Sequence, residues 1–96
     1  MSYRLLSDTA RDLTSAVDDY EKIHADLAIQ FLDDFERTIR NAVFFPQAWT
    51  QVTHSLRRCL FQRFPYAVLY SSKDGMILVA AIMHLHKDPG EFLKNS

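Results

Sequence analysis

From Asp8 to Val43 the chain repeats apolar residues at helical spacing, with no Gly or Pro to interrupt it. Ala10, Leu13, Val17 and Tyr20 form one stripe; Leu27, Phe31, Phe35 and Ile39 form the next, with Ala28, Leu32, Ala42 and Val43 beside it. A straight helix of this length would exceed about 50 Å. A domain of this size has a radius of gyration near 13 Å, so one helix would carry its stripe past any core. The pattern therefore predicts a helical hairpin that turns between Ile23 and Asp26. Ser7 or Asp8 is the expected N-cap of the first helix, and Asp26 that of the second.

Pro46 stops the second helix, because it has no N–H to donate and clashes with the preceding turn. A polar link follows, from Pro46 to Ser55, with Trp49 as its expected anchor. Beyond it the period changes to that of strands. Leu56 to Phe64 predicts one strand, Phe64-Pro65 a break, Tyr66 to Ser71 a second strand and Met76 to His84 a third. Asp74-Gly75 is a hairpin-turn signal, and a positive φ is expected at Gly75. The unbroken apolar run in the third strand suits a central strand covered on both faces. Tyr3 to Leu6 adds a short first strand, and Asp88 with Pro89 predicts a short C-terminal turn. The expected fold is α+β and two-layered: an N-terminal strand and a helical hairpin packed on a small, mainly antiparallel sheet. Residues 1–96 are read as a single domain.

The longest apolar run, Met76 to Met83, is far short of the roughly 18 residues of a membrane span. No secretory apolar region opens the chain, and the single cysteine, Cys59, has no internal partner for a disulfide. A cytoplasmic protein is the expectation. Net charge is −1, so the whole chain is not a general nucleic-acid binder. Its halves differ, however: residues 1–50 carry 5 Lys/Arg against 9 Asp/Glu, and residues 51–96 carry 6 against 3. An acidic face and a basic face follow from that split.

The ordered set Arg57-Arg58, "RFPYAVLY" (63–70), "MILVAAIMH" (76–84) and Asp88-Pro89, after the helices "DLTSAVDDYE" and "LAIQFLDDFERTI", resembles the RelE/ParE family of bacterial type II toxins, also described as plasmid-stabilisation proteins. The resemblance implies a small growth-inhibiting toxin neutralised by a cognate antitoxin. Its target would be DNA gyrase, as for ParE-like members, or messenger RNA on the ribosome, as for RelE-like endonucleases. A module that has lost toxicity and only binds its antitoxin is a third possibility. Fold does not choose among them.

RNA cleavage by 2′-OH attack needs a base, positive charge for the phosphate and a proton donor for the leaving oxygen. The residues available for that chemistry are Arg57, Arg58, Arg63, His84, His86 and Lys87. Strand alternation places Arg57 and Arg63 on one face and Arg58 on the other. The set departs from the family pattern: His86 stands where an arginine is frequent, and Phe92, with no hydroxyl, stands where Tyr or Trp is expected. The ParE-like reading is therefore preferred, with Arg57, Arg58, His86 and Lys87 as the expected target-binding surface. No cofactor is expected, and no metal: His84-x-His86 offers two ligands where a site needs three or four, with only His54 and Cys59 to recruit. Cys59 is read as a small buried apolar residue, and Tyr66 and Tyr70, which share parity with Val68, as packing residues.

Overall fold

The computed structural model describes residues 2–85; the expected Asp88-Pro89 turn lies outside them. The elements run β1 (Ser2–Leu5), α1 (Ser7–Ile23), α2 (Ala25–Phe44), β2 (Thr50–Gln51), β3 (Arg57–Leu60), β4 (Tyr66–Lys73) and β5 (Met76–His84). The strands form one sheet in the order β1-β5-β4-β3-β2. β1 pairs with β5 in parallel, and every other pair is antiparallel. The two helices lie on one face of this sheet, as the α+β reading expected. Neither helix is long and apolar enough to cross a membrane.

The helical hairpin turns on one residue. His24 is extended, at φ −164° and ψ 137°; its N–H donates to Tyr20 O (3.0 Å) and closes α1. Its imidazole Nδ1 accepts from the Asp26 N–H (3.1 Å) and caps α2. The expected cap, Asp26, instead lies in the first turn of α2, where its carboxylate faces the positive end of the helix dipole. The cap of α1 also differs from expectation. Leu6 occupies that position with no side-chain hydrogen bond, so Ser7 and Asp8 are both inside the helix. The entry to α1 is held from the sheet instead. Thr9 is buried, and its hydroxyl and the Leu6 N–H both donate to Val79 O (3.2 and 3.3 Å).

The core lies between α2 and the sheet. Phe31, Phe35, Ile39, Ala42 and Val43 pack against Cys59, Phe61, Val68, Tyr70, Ile77, Val79 and Ile82. Alternation alone would put Val79 and Ile82 on opposite faces. A register shift between Leu69/Tyr70 and their β5 partners leaves Ala80 unpaired, and this bulge turns Ile77, Val79 and Ile82 to the same side. Ala67, Leu69 and Met83 are buried outside that cluster. β5 is thus an interior strand with buried residues on both faces, which accounts for its continuous apolar run.

The expected strand 56–64 is shorter, because β3 ends at Leu60. The next backbone N–H groups do not join a ladder. Those of Gln62, Arg63 and Phe64 all donate to the carboxylate of Asp34 on α2, at 3.0, 2.7 and 3.1 Å. Three successive N–H groups can converge on one anion only if the chain curls, which alternation in a strand forbids. Arg63 therefore stands in a turn, and the parity argument that joined it to Arg57 does not apply. The Pro46–Ser55 link also holds more structure than expected. Thr50–Gln51 is a short edge strand on β3. Trp49 is the expected anchor: half-buried against the core, it donates from Nε1 to Asn41 O (3.0 Å).

Asp74 (φ 54°) and Gly75 (φ 77°) form the two-residue loop between β4 and β5, closed by the pair Lys73–Met76. Two positive φ values in succession are the signature of a type I′ turn, which matches the right-handed twist of its strands. A Cβ on Gly75 would meet nothing within 4 Å, so only backbone strain opposes a side chain there. Gly75→Val is expected to lower stability by about 1 kcal/mol or more, whereas Gly75→Asn retains most of it, because Asn tolerates this region. Urea midpoints of the two variants check the difference, and equal midpoints would contradict it.

Candidate functional site

The expected basic residues do not form one cluster. Arg57 and Arg58 are consecutive on β3, so their side chains leave opposite faces of the sheet. Arg57 pairs with Tyr70 on the helix-facing side. Its guanidinium donates from Nη1 to Trp49 O (2.8 Å) and from Nη2 to Gln47 Oε1 (3.4 Å), which clamps the link after α2. Arg58 pairs with Leu69 and Thr50 on the other face, and its Nε is closed to solvent without a hydrogen-bond partner. Arg63 is exposed in the turn that Asp34 holds. His86 and Lys87 lie outside the described residues.

His84 ends β5 opposite Tyr66, and the two rings meet edge-on at 4.8 Å. The Arg57 and Arg58 partners on β4, Tyr70 and Leu69, are three to four residues from Tyr66. At about 3.4 Å per residue this is roughly 10–14 Å along the strand. His84 and the arginines thus stand at different ends of the sheet. His84 lines a cavity of about 200 Å³ together with Asp12, Asp19 and Tyr66. Two carboxylates in that wall repel an approaching phosphate, the opposite of what phosphodiester cleavage requires. Cys59 is 1% exposed, and burial pushes its thiol up to about 11, so it is not a thiolate nucleophile at neutral pH. Tyr66 and Tyr70 are packing residues, as expected. Burial, before any neighbouring charge, pushes both phenols up to about 12, and Tyr70 donates its proton to Pro46 O (2.8 Å). Among the described residues no cluster of three His, Cys, Asp or Glu side chains could hold a metal ion.

A different feature stands out at the C-terminal end of α2. Phe44 and Phe45 are 62% and 61% exposed, and Tyr3 on β1 is 46% exposed. Tyr3, Ile39, Val43 and Phe44 line a groove of about 340 Å³, with Glu36 and Arg40 on its polar rim. The groove runs beside β1, the terminal strand of the sheet, whose outer edge has no strand partner among the described residues. Phe44 and Phe45 end the apolar run of α2, and the core takes up neither. The groove needs Tyr3 as well, brought there by the parallel pairing of β1 with β5, and no local pattern signals that pairing.

No family model matches the sequence, and no curated protein does. Among solved structures, a chain of the chromosomal ParDE TA system from P. aeruginosa superposes with a TM-score of 0.75. It is 19% identical, and the match covers 90% of this chain and 97% of that one. The chain shares the fold of that ParDE-system chain.

Proposed function

We propose that this chain is the toxin of a type II toxin–antitoxin pair, held inactive by a cognate antitoxin, and that it acts in the ParE-like manner on DNA gyrase. The observation that carries the antitoxin is the apolar groove of Tyr3, Val43 and Phe44 beside the edge of β1 that has no strand partner among the described residues. Large exposed aromatic side chains gathered at one place mark an interaction surface. An extended or helical segment of a partner could bury them while pairing with the free strand edge. The likeness in fold to a chain of a ParDE system supports the same reading. Gyrase is favoured over RelE-like cleavage because His84 shares a cavity with Asp12 and Asp19 and stands away from Arg57 and Arg58. The target surface is proposed on Arg57, Arg58, His86 and Lys87, with Arg57 and Arg58 reaching it from opposite faces of the sheet.

The product of the neighbouring reading frame is the partner to test. Binding is expected at nanomolar Kd or tighter, about −12 kcal/mol. Phe44→Glu is expected to weaken it by about a hundredfold or more, while stability changes by about 0.5 kcal/mol or less because the side chain is exposed. Titration calorimetry and thermal melts read both, and undiminished binding by the variant would remove the groove from the interface. Induced expression then separates the targets. Filaments with a DNA-damage response support gyrase, and cut transcripts with halted translation support the endonuclease. Growth at the normal rate points to a non-toxic antitoxin-binding module.

A further inference from the structure

β4 is longer than its neighbour. It pairs with β3 only from Ala67 to Tyr70, and Ser71, Ser72 and Lys73 run on beyond it, paired with β5 alone. On the β3 side, alternate residues of this overhang therefore turn unpaired backbone groups outward. The 52–56 loop, which would otherwise continue β3, folds back instead. Val52 N and Thr53 N donate to Leu56 O (2.8 and 3.2 Å), and the Thr53 hydroxyl accepts from Ser55 N and Leu56 N (3.3 and 3.1 Å). Between this self-tied loop and the overhang lies a cleft of about 460 Å³.

The charge in this cleft is one-sided. His54 from the loop, Arg57 from β3 and Lys73 from the end of β4 all line it, and among the described residues no Asp or Glu does. That is notable in a chain with 12 acidic residues against 11 Lys and Arg. Arg57 is already fixed by Trp49 O and Gln47 Oε1, which uses two of its five N–H donors and removes most of the ordering cost of binding. Hydroxyls of Ser71 and Ser72 and the amide of Gln51 complete the polar lining. A carboxylate is satisfied by one planar guanidinium face. Nitrogen donors arriving from three separate elements, with Arg57 and Lys73 cationic, suit a tetrahedral dianion better, and the cleft is much larger than phosphate itself.

We propose that this cleft binds a phosphate monoester, with Arg57 as the fixed contact and His54 and Lys73 closing on the phosphate. The site is separate from the antitoxin groove and does not depend on the toxin reading. The same group could come from a free nucleotide or from the 5′ end of a nucleic acid.

Titration of the full chain with adenosine 5′-monophosphate, followed by amide chemical shifts, tests it. Shifts are expected at Ser71, Ser72 and Lys73, with millimolar affinity or tighter, and inorganic phosphate should compete. Lys73→Ala and His54→Ala are each expected to weaken binding by about tenfold, with unchanged melting temperature because both side chains are exposed. Arg11→Ala, on α1 and outside the cleft lining, should bind as the wild type does. A 5′-phosphorylated single-stranded oligonucleotide that binds more tightly than the mononucleotide identifies a nucleic-acid end as the source, and equal affinity identifies the free ester. The proposal is overturned if neither adenosine monophosphate nor phosphate binds, if the two cleft variants bind normally, or if an oligonucleotide without terminal phosphate binds as well as its phosphorylated form.

Discussion

Phe31→Ala is expected to destabilise the fold by about 3–5 kcal/mol, the range for removing a fully buried aromatic ring. Phe31 is 0% exposed and is the hub of the aromatic cluster that joins the helical hairpin to the sheet. Its ring stacks on Tyr20 of α1 at 5.2 Å, tilts against Phe61 at 5.3 Å, and meets Phe64 and Tyr66 edge-on at 5.2 and 5.1 Å. Four ring contacts vanish together, each adding about 0.5–1.5 kcal/mol beyond burial if taken singly. They are not additive, since the four partners also touch one another and can close in. A domain of this size has only about 5–15 kcal/mol to lose. The variant should therefore melt about 15 °C lower or more. Phe31→Leu, which keeps most of the volume, should recover over half of that loss. Denaturant unfolding of the two variants tests the ranking, and a cost below about 1 kcal/mol for the alanine would mean the hairpin is held to the sheet elsewhere.

Phe31 was legible in the sequence because a helical period needs no knowledge of what it packs against. The same holds for β5, whose bounds agree residue for residue with the expected strand Met76 to His84, and for Asp74-Gly75, where local backbone preference decides the turn. The misreadings come from unusual local geometry or from partners distant in sequence. His24 was passed over as a cap because imidazole is not among the usual capping side chains, yet the extended backbone at the turn puts its Nδ1 within reach of the Asp26 N–H. The Ala80 bulge leaves no trace in an unbroken apolar strand. The basic residues were visible but their grouping was not: Arg57 and Arg58 are neighbours in sequence and on opposite faces in space. The proposed phosphate cleft was invisible, because it exists only where β4 outruns the start of β3, and nothing in the sequence announces that the 52–56 loop folds back there.

The other end of β3 is set by Asp34, and Asp34→Ala is the second large effect, expected at about 2–4 kcal/mol. Asp34 follows Asp33 directly, and composition treats them alike. Asp33 is exposed, but Asp34 is 1% exposed and sits on the core stripe between Phe31 and Thr38. Its desolvation is offset by three backbone N–H donors, charge-assisted bonds about twice as strong as neutral ones. Alanine leaves those donors without an acceptor. Gln62 and Arg63 are exposed, so water can recover part of the loss at their N–H groups, while Phe64 is half-buried and recovers less. The Arg37 bond to Gln62 Oε1 (2.8 Å) still tethers the turn to α2, which keeps the estimate below the cost of a complete local unfolding. Asp34→Asn separates charge and geometry from volume. The amide matches the carboxylate in size but offers one oxygen where two are used, and it points an NH₂ donor at another donor. It should recover less than half of the alanine variant's loss. Hydrogen exchange at Gln62, Arg63 and Phe64 locates the effect: their amides should lose protection in both variants while Val68 and Val79 keep theirs relative to global stability. If those three amides stay protected in Asp34→Ala, the turn is held by the Phe61 and Phe64 rings instead, and β3 would end at Leu60 for reasons of packing alone.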